Sequence, residues 1–149
     1  MSTPLQSTHT TGELTFLGSR VRVLATGDDT GGSLGLLDMI EVPAGDMPPL
    51  HLHRHEDEGF YVISGELSVF LPGRRIDLGP GEYAVAPRGV PHAYRVGDAP
   101  ARLLVTSTPA GFERFVADVA GRENAGPETL TAVAAQYDIE ILGPPGMLP

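Results

Sequence analysis

Glycine and proline punctuate this chain so densely that only short elements fit between them. There are 19 Gly and 14 Pro in 149 residues, and turn signals recur roughly every eight to twelve residues, the spacing of an all-β sandwich or barrel. The intervening runs carry the alternation of half-buried strands. ELTFLGSRVRVLA, residues 13–25, sets Val21 and Val23 against Arg20 and Arg22 and reads as two short strands. SLGLLDMIEVP, residues 33–43, reads as a strand covered on both faces in its middle. GFYVISGELSVFLPG, residues 59–73, has turn residues at Ser64–Gly65 and Pro72–Gly73 and takes the form of a β-hairpin. Further short strands are predicted over 74–81, 83–86, 92–96 and 102–106.

The two ends differ in kind. Residues 1–12, MSTPLQSTHTTG, are rich in Ser and Thr and read as a flexible N-terminal arm in which His9 is solvated. The barrel is predicted over 13–108. Residues 109–149 form a helical extension of the same domain: Phe112, Phe115, Val116 and Val119 recur at helical spacing, and so do Leu130, Val133, Ala134 and Tyr137 after a Gly126–Pro127 start signal. These two helices are expected to pack outside the barrel. Ile139–Leu142 and the GPPG tail complete the packing or reach a partner. In TGDDTGG, adjacent carboxylates suggest calcium, but they lack further acidic ligands at the right spacing, and a solvated turn is the better reading.

Composition excludes several classes of function. The chain has no cysteine, so thiol catalysis and thiolate metal sites are out. With 19 acidic against 10 basic residues, the charge of −9 opposes nucleic acid and anionic lipid. No run approaches the roughly 20 apolar residues of a membrane span, and a soluble, cytoplasmic protein is expected. At this length a single core can bury about 70% of the unfolded surface without covalent staples.

The chemistry is concentrated in residues 45–65, GDMPPLHLHRHEDEGFYVISG. On a strand, His51 and His53 present imidazoles to one face roughly 6 to 7 Å apart at the backbone. Pro48 and Pro49 stiffen the approach, and Glu58 adds an oxygen donor that can also accept a proton. Imidazole and carboxylate together suit one Zn, Cu, Fe or Ni ion. His55 shares the parity of the other two and could replace or supplement Glu58, although the polar HEDE that follows reads as a loop. Glu56 and Asp57 read as solvated charges. A second stretch, GEYAVAPRGVPHAYRV over 81–96, brings a lone His92 into another strand. If Glu58 points inward then so do Phe60 and Val62, and if His92 does then so do Tyr94 and Val96.

Together these stretches resemble the paired signatures of the cupin superfamily. Gly45, His51, His53, Glu58 and Gly65 stand at the offsets of the first, and Gly81, Pro87, Gly89 and His92 at those of the second; Val96 replaces the family's Asn. The resemblance implies a double-stranded β-helix, or jelly-roll barrel. It also implies one divalent ion (Fe, Mn, Ni, Co, Cu or Zn) held inside by His51, His53, Glu58 and His92, and a homodimer. Phe60, Tyr94 and Val96 would line an apolar substrate pocket. The chain resembles single-domain quercetin 2,3-dioxygenase-like and polyketide-cyclase-like cupins. An enzyme acting on a small apolar or aromatic molecule follows, with Glu58 as catalytic proton acceptor and dioxygen as co-substrate if the metal is redox-active. A zinc site would instead serve cyclisation or isomerisation. A non-catalytic small-molecule-binding cupin stays open, as does a metal-free epimerase.

Overall fold

The computed structural model describes residues 12–123 and 125–149, so the expected N-terminal arm lies outside the described residues except for Gly12. In chain order the elements are β1 Leu14–Phe16, β2 Ser19–Ala25, α1 Gly27–Thr30, β3 Gly35–Val42, β4 Pro49–His53, β5 Asp57–Ser64 and β6 Leu67–Leu71. They continue with β7 Arg74–Leu78, β8 Tyr83–Ala86, β9 Ala93–Val96, β10 Ala101–Thr108, α2 Phe112–Ala120, α3 Pro127–Gln136 and β11 Ile139–Pro145. One sheet runs β1-β2-β3-β10-β5-β8, antiparallel throughout. The other comes in two parts, β11-β4 and β7-β6-β9. A bridge joins the parts: His51 N–H donates to His92 O at 3.2 Å and His92 N–H to His51 O at 2.9 Å. The fold is the all-β jelly roll that the sequence predicts, with two short helices near its C-terminal end.

Alternation explains the core. Ser19, Val21, Val23 and Ala25 point inward on β2, and Ala101, Leu103, Val105 and Ser107 on β10. Each fully buried Val or Leu contributes about 1.5–3 kcal/mol by leaving water. The middle of β3 is covered on both faces, as expected. Leu37 and Met39 enter the core, while Asp38, also buried, receives two hydrogen bonds from the Arg102 guanidinium at 3.1 and 2.6 Å.

The predicted hairpin over 59–73 does not form. β5 pairs with β10 and β8, whereas β6 pairs with β7 and β9, so Ser64–Gly65 carries the chain from one sheet to the other. Turn residues serve a hairpin and an arch between sheets equally well, and only long-range pairing separates the two. At Gly65 the backbone has φ +84°, and a Cβ would lie 2.9 Å from Ala101 Cα and Pro100 O, so the crossing needs glycine. TGDDTGG winds into α1, with Asp29 accepting from Thr26 N–H and Asp28 paired to Arg114.

Both C-terminal helices form over the expected stripes. α2 is fastened by buried Glu113, which accepts from Gly27 N–H and Gly111 N–H. Its aromatic residues do more than cover the barrel exterior. Phe112 and Phe115 pack edge-on against Phe16 at 6.5 and 5.9 Å between centroids and reach the central cavity. Among the described residues no helix is long and apolar enough to cross a membrane.

The tail after Asp138 is a strand. β11 pairs with β4, setting Ile139 opposite His53 and Ile141 opposite His51. Ile139 is 2% exposed, so Ile139→Ala should cost about 2–5 kcal/mol, as for any well-packed core position. Urea unfolding checks this, with Leu103→Ala as the reference. A midpoint equal to that of the parent would mean that β11 is a loose tail.

Candidate metal centre

Three strands bring the predicted ligands to one point. His51 and His53 project inward from β4, Glu58 from β5, and His92 stands immediately before β9. All four are buried, and one ligand atom from each lies within 4.8 Å of the others. The carboxylate is the hub. Glu58 Oε2 is 2.7 Å from His53 Nε2, 2.8 Å from His92 Nε2 and 3.7 Å from His51 Nε2.

Backbone carbonyls fix two of the rings. His51 Nδ1–H donates to Pro49 O at 2.7 Å, and His92 Nδ1–H donates to Val90 O at 3.0 Å. In a neutral imidazole the proton on Nδ1 leaves a lone pair on Nε2. His51 Nε2 therefore turns a lone pair toward the Glu58 oxygen, while His92 Nε2 lies at hydrogen-bond distance from it, 2.8 Å, so positive charge, from protons or a metal ion, has to sit among the four groups. His53 adds a second observation: neither of its buried ring nitrogens has a hydrogen-bond partner, although Nε2 lies 2.7 Å from Glu58 Oε2. Donors that converge, are oriented from behind and lack partners are what a metal ion requires. The set of three nitrogens and one oxygen fits Fe, Mn, Co, Ni, Cu or Zn.

In the metal-free protein, protons supply the positive charge. Burial opposes a charge on His53, but the Glu58 carboxylate outweighs it, with Glu56 helping, and raises the His53 pKa to about 9. Burial likewise works against ionising Glu58, yet the surrounding imidazoles, His53 above all, hold it well below the usual carboxylate range. His51 is lowered, chiefly by burial, and is neutral. The two shifts at His53 and Glu58 describe one buried ion pair.

The remaining candidates separate clearly. Phe60 and Tyr94 line a narrow chamber of about 50 Å³ that reaches Glu58 and His51. Val96 does not: it is 1% exposed and belongs to the core, opposite Leu67 on β6. Parity turns Val96 inward as expected, but the interior at that point of β9 is packed core and not chamber. His55 is mostly exposed, 3.5 Å from Asp138, and stands outside the cluster. Asp57 is held by Arg88 at the surface.

Sequence reasoning missed part of the site. Glu56, expected to be solvated, is 5% exposed; it accepts from Phe112 N–H at 2.7 Å and stands 3.7 Å from His53 Nδ1. Nothing local signals this, because the helix that buries it lies 56 residues away. Phe112 packs edge-on to His53 at 5.0 Å. Phe115, Leu130, Ile139 and Ile141 complete the chamber wall. For the last two, the alternation in IEIL was a usable signal of a strand. Beyond the chamber the cavity widens into a groove of about 720 Å³ that shares Phe16, Leu17, Met39, Pro48, Pro49, Tyr94, Leu130 and Ile141.

Because His53 must lose a proton before it can bind a metal, and its pKa is raised to about 9, affinity should rise with pH across the neutral range. The limit is about tenfold per pH unit below that pKa. Competition titration with Zn at pH 6.5 and 7.5 should show binding about tenfold tighter at the higher pH. Affinity independent of pH would show that His53 is neutral in the metal-free protein.

Comparison with known proteins agrees with this geometry. The family profile described as Cupin domain matches residues 38–107. The chain is similar to quercetin 2,3-dioxygenase of Bacillus subtilis, 37% identical over 94 residues, covering 62% of this chain and 28% of that protein. It thus spans well under two thirds of that relative's length. The polyketide cyclase RemF of Streptomyces resistomycificus is 27% identical over 72% of this chain and 80% of its own, with a TM-score of 0.53. KdgF from Halomonas shares the fold at 22% identity, covering 65% of this chain and 84% of its own with a TM-score of 0.57. Residues 38–107, which carry all four convergent side chains, are a cupin domain.

Proposed function

We propose that the chain is a metal-dependent enzyme acting on a small apolar or aromatic molecule of the polyphenol or polyketide kind, and that it is a quercetinase-like dioxygenase. The observation that carries the metal site is the meeting of three buried imidazoles and a carboxylate around Glu58 Oε2. His51, His53, Glu58 and His92 would hold one divalent ion. When bound, it supplies Lewis acidity toward a substrate enol or phenol oxygen and, if redox-active, a route to dioxygen.

The residues around the cluster account for the substrate class. The chamber wall is aromatic and aliphatic, from Phe60, Phe112, Phe115 and Ile139 among others, so it excludes water and favours an apolar body. Its apolar character comes from barrel residues such as Met39, Phe60 and Val105 together with the C-terminal elements, and not from Val96. Glu58 is ionised and faces the chamber, which makes it the group placed to take a proton from a substrate hydroxyl. Tyr94 adds the complementary function. Burial, with the Asp46 and Glu58 carboxylates nearby, pushes its phenol up, so it stays protonated and can donate a hydrogen bond where chamber and groove meet. A cytoplasmic homodimer belongs to the same reading.

A non-redox cyclase or isomerase is the second reading, favoured by span. The likeness to RemF covers 80% of that chain, against 28% of the Bacillus dioxygenase. Elemental analysis of the protein as isolated, followed by oxygen-electrode assays with flavonols, separates the two. Uptake of oxygen that stops on chelation supports the dioxygenase; bound zinc with no uptake and a cyclised polyketide product supports the cyclase. A protein that binds such molecules without turning any over would sink the enzymatic reading.

His53→Ala should abolish metal retention while leaving the fold largely intact, because the surrounding barrel core is apolar and continuous. Metal content after gel filtration, together with the circular dichroism spectrum, checks both halves. Retention equal to that of the parent would remove His53 from the site.

A further inference from the structure

One residue at the mouth of the cavity stands in a conformation that its side chain disfavours. β1 and β2 pair with Phe16 opposite Ser19, so Leu17–Gly18 forms a two-residue hairpin loop. Both residues have positive φ, +48° at Leu17 and +85° at Gly18. That pattern belongs to type I′ turns, whose first central position favours Asn, Asp or Gly because a branched apolar side chain crowds the left-handed backbone. Among the described residues one other non-glycine has positive φ, Asp138 at +57°, and aspartate tolerates it. Leu17 is therefore the residue whose identity local structure does not explain.

Burial does not explain it either, since the side chain is 41% exposed. Its position does. Leu17 lines both the narrow chamber beside Glu58 and the wide groove outside it, as do Phe16, Leu130 and Ile141. A chamber of about 50 Å³ is too small for a polycyclic body, so such a molecule must leave most of its surface in the groove. The molecule then crosses the junction where Leu17 sits.

We propose that Leu17 is a specificity-determining residue, kept in a strained turn so that its side chain closes over the apolar body of a ligand spanning chamber and groove. This rests on the cavity being a small-molecule site. It does not rest on the metal or on either reaction. Disfavoured backbone conformations held at ligand-contacting positions are a recognised way in which a fold keeps a functional side chain in place.

Two variants and two readouts test it. N-phenyl-1-naphthylamine, a neutral apolar fluorophore, reports occupancy of the cavity whatever chemistry the protein performs. Leu17→Asn should raise the thermal midpoint by about 2–4 °C through relief of the turn while weakening the fluorophore about five- to tenfold. Leu17→Ala should weaken it to the same degree with no gain in midpoint, because the alanine Cβ keeps the strain. Opposite movement of stability and affinity is the signature of a residue kept for binding. Unchanged affinity in both variants would overturn the proposal, and so would a lower midpoint in Leu17→Asn, which would make Leu17 a packing residue. If the parent takes up no fluorophore yet turns over flavonol, the proposal fails while the enzymatic reading stands.

Discussion

A carboxylate buried among three imidazoles inside an apolar barrel is the constraint on which the rest of this structure depends. Removing an ionised group from water costs several kcal/mol unless an opposite charge accompanies it. Glu58 is 3% exposed and meets His53 and His92 nitrogens at 2.7 and 2.8 Å. Either protons or a metal ion must supply the positive charge. Without a metal, the His53–Glu58 ion pair serves, at the cost of leaving both His53 nitrogens without proper hydrogen bonds. The geometry is thus better satisfied by an ion than by the protons that replace it.

The fold makes that convergence rigid. His51 and His92 exchange both backbone hydrogen bonds, so the bridge that completes the second sheet also fixes two of the candidate ligands relative to each other. The third histidine lies two residues along the same strand, backed by β11 through Ile139. Glu58 arrives from the opposite sheet, on the strand that pairs with β10 and β8. Neither sheet alone holds the four groups, so the site exists only when the barrel is closed. The C-terminal elements then close part of the approach: Phe112 packs edge-on to His53, Glu56 ties the start of α2 to the same region, and Ile141 lines both chamber and groove.

Much of this is legible in the residues themselves. Motif offsets single out His51, His53, Glu58 and His92, which the fold brings together, and helical spacing locates α2 and α3. The failures were all long-range. Ser64–Gly65 carried a hairpin's residues and made a crossing between sheets. Parity turns both Tyr94 and Val96 inward, but it does not tell chamber wall from packed core, and Val96 belongs to the core. Glu56 looked solvated because its partner, the Phe112 amide, comes from a helix that only folding brings near. Local patterns report which residues are capable of a role; the tertiary fold decides which of them meet.

The central claim is that a single cation sits where those four side chains point. X-ray absorption at the edge of the metal carried by the purified protein tests it directly. The expected shell contains three imidazole nitrogens at about 2.0–2.1 Å and at least one carboxylate oxygen at about 2.0–2.2 Å if the ion is zinc. A shell with one imidazole or none, made up of water and carboxylate oxygens, would place the ion elsewhere on this acidic surface and leave the buried cluster to its protons.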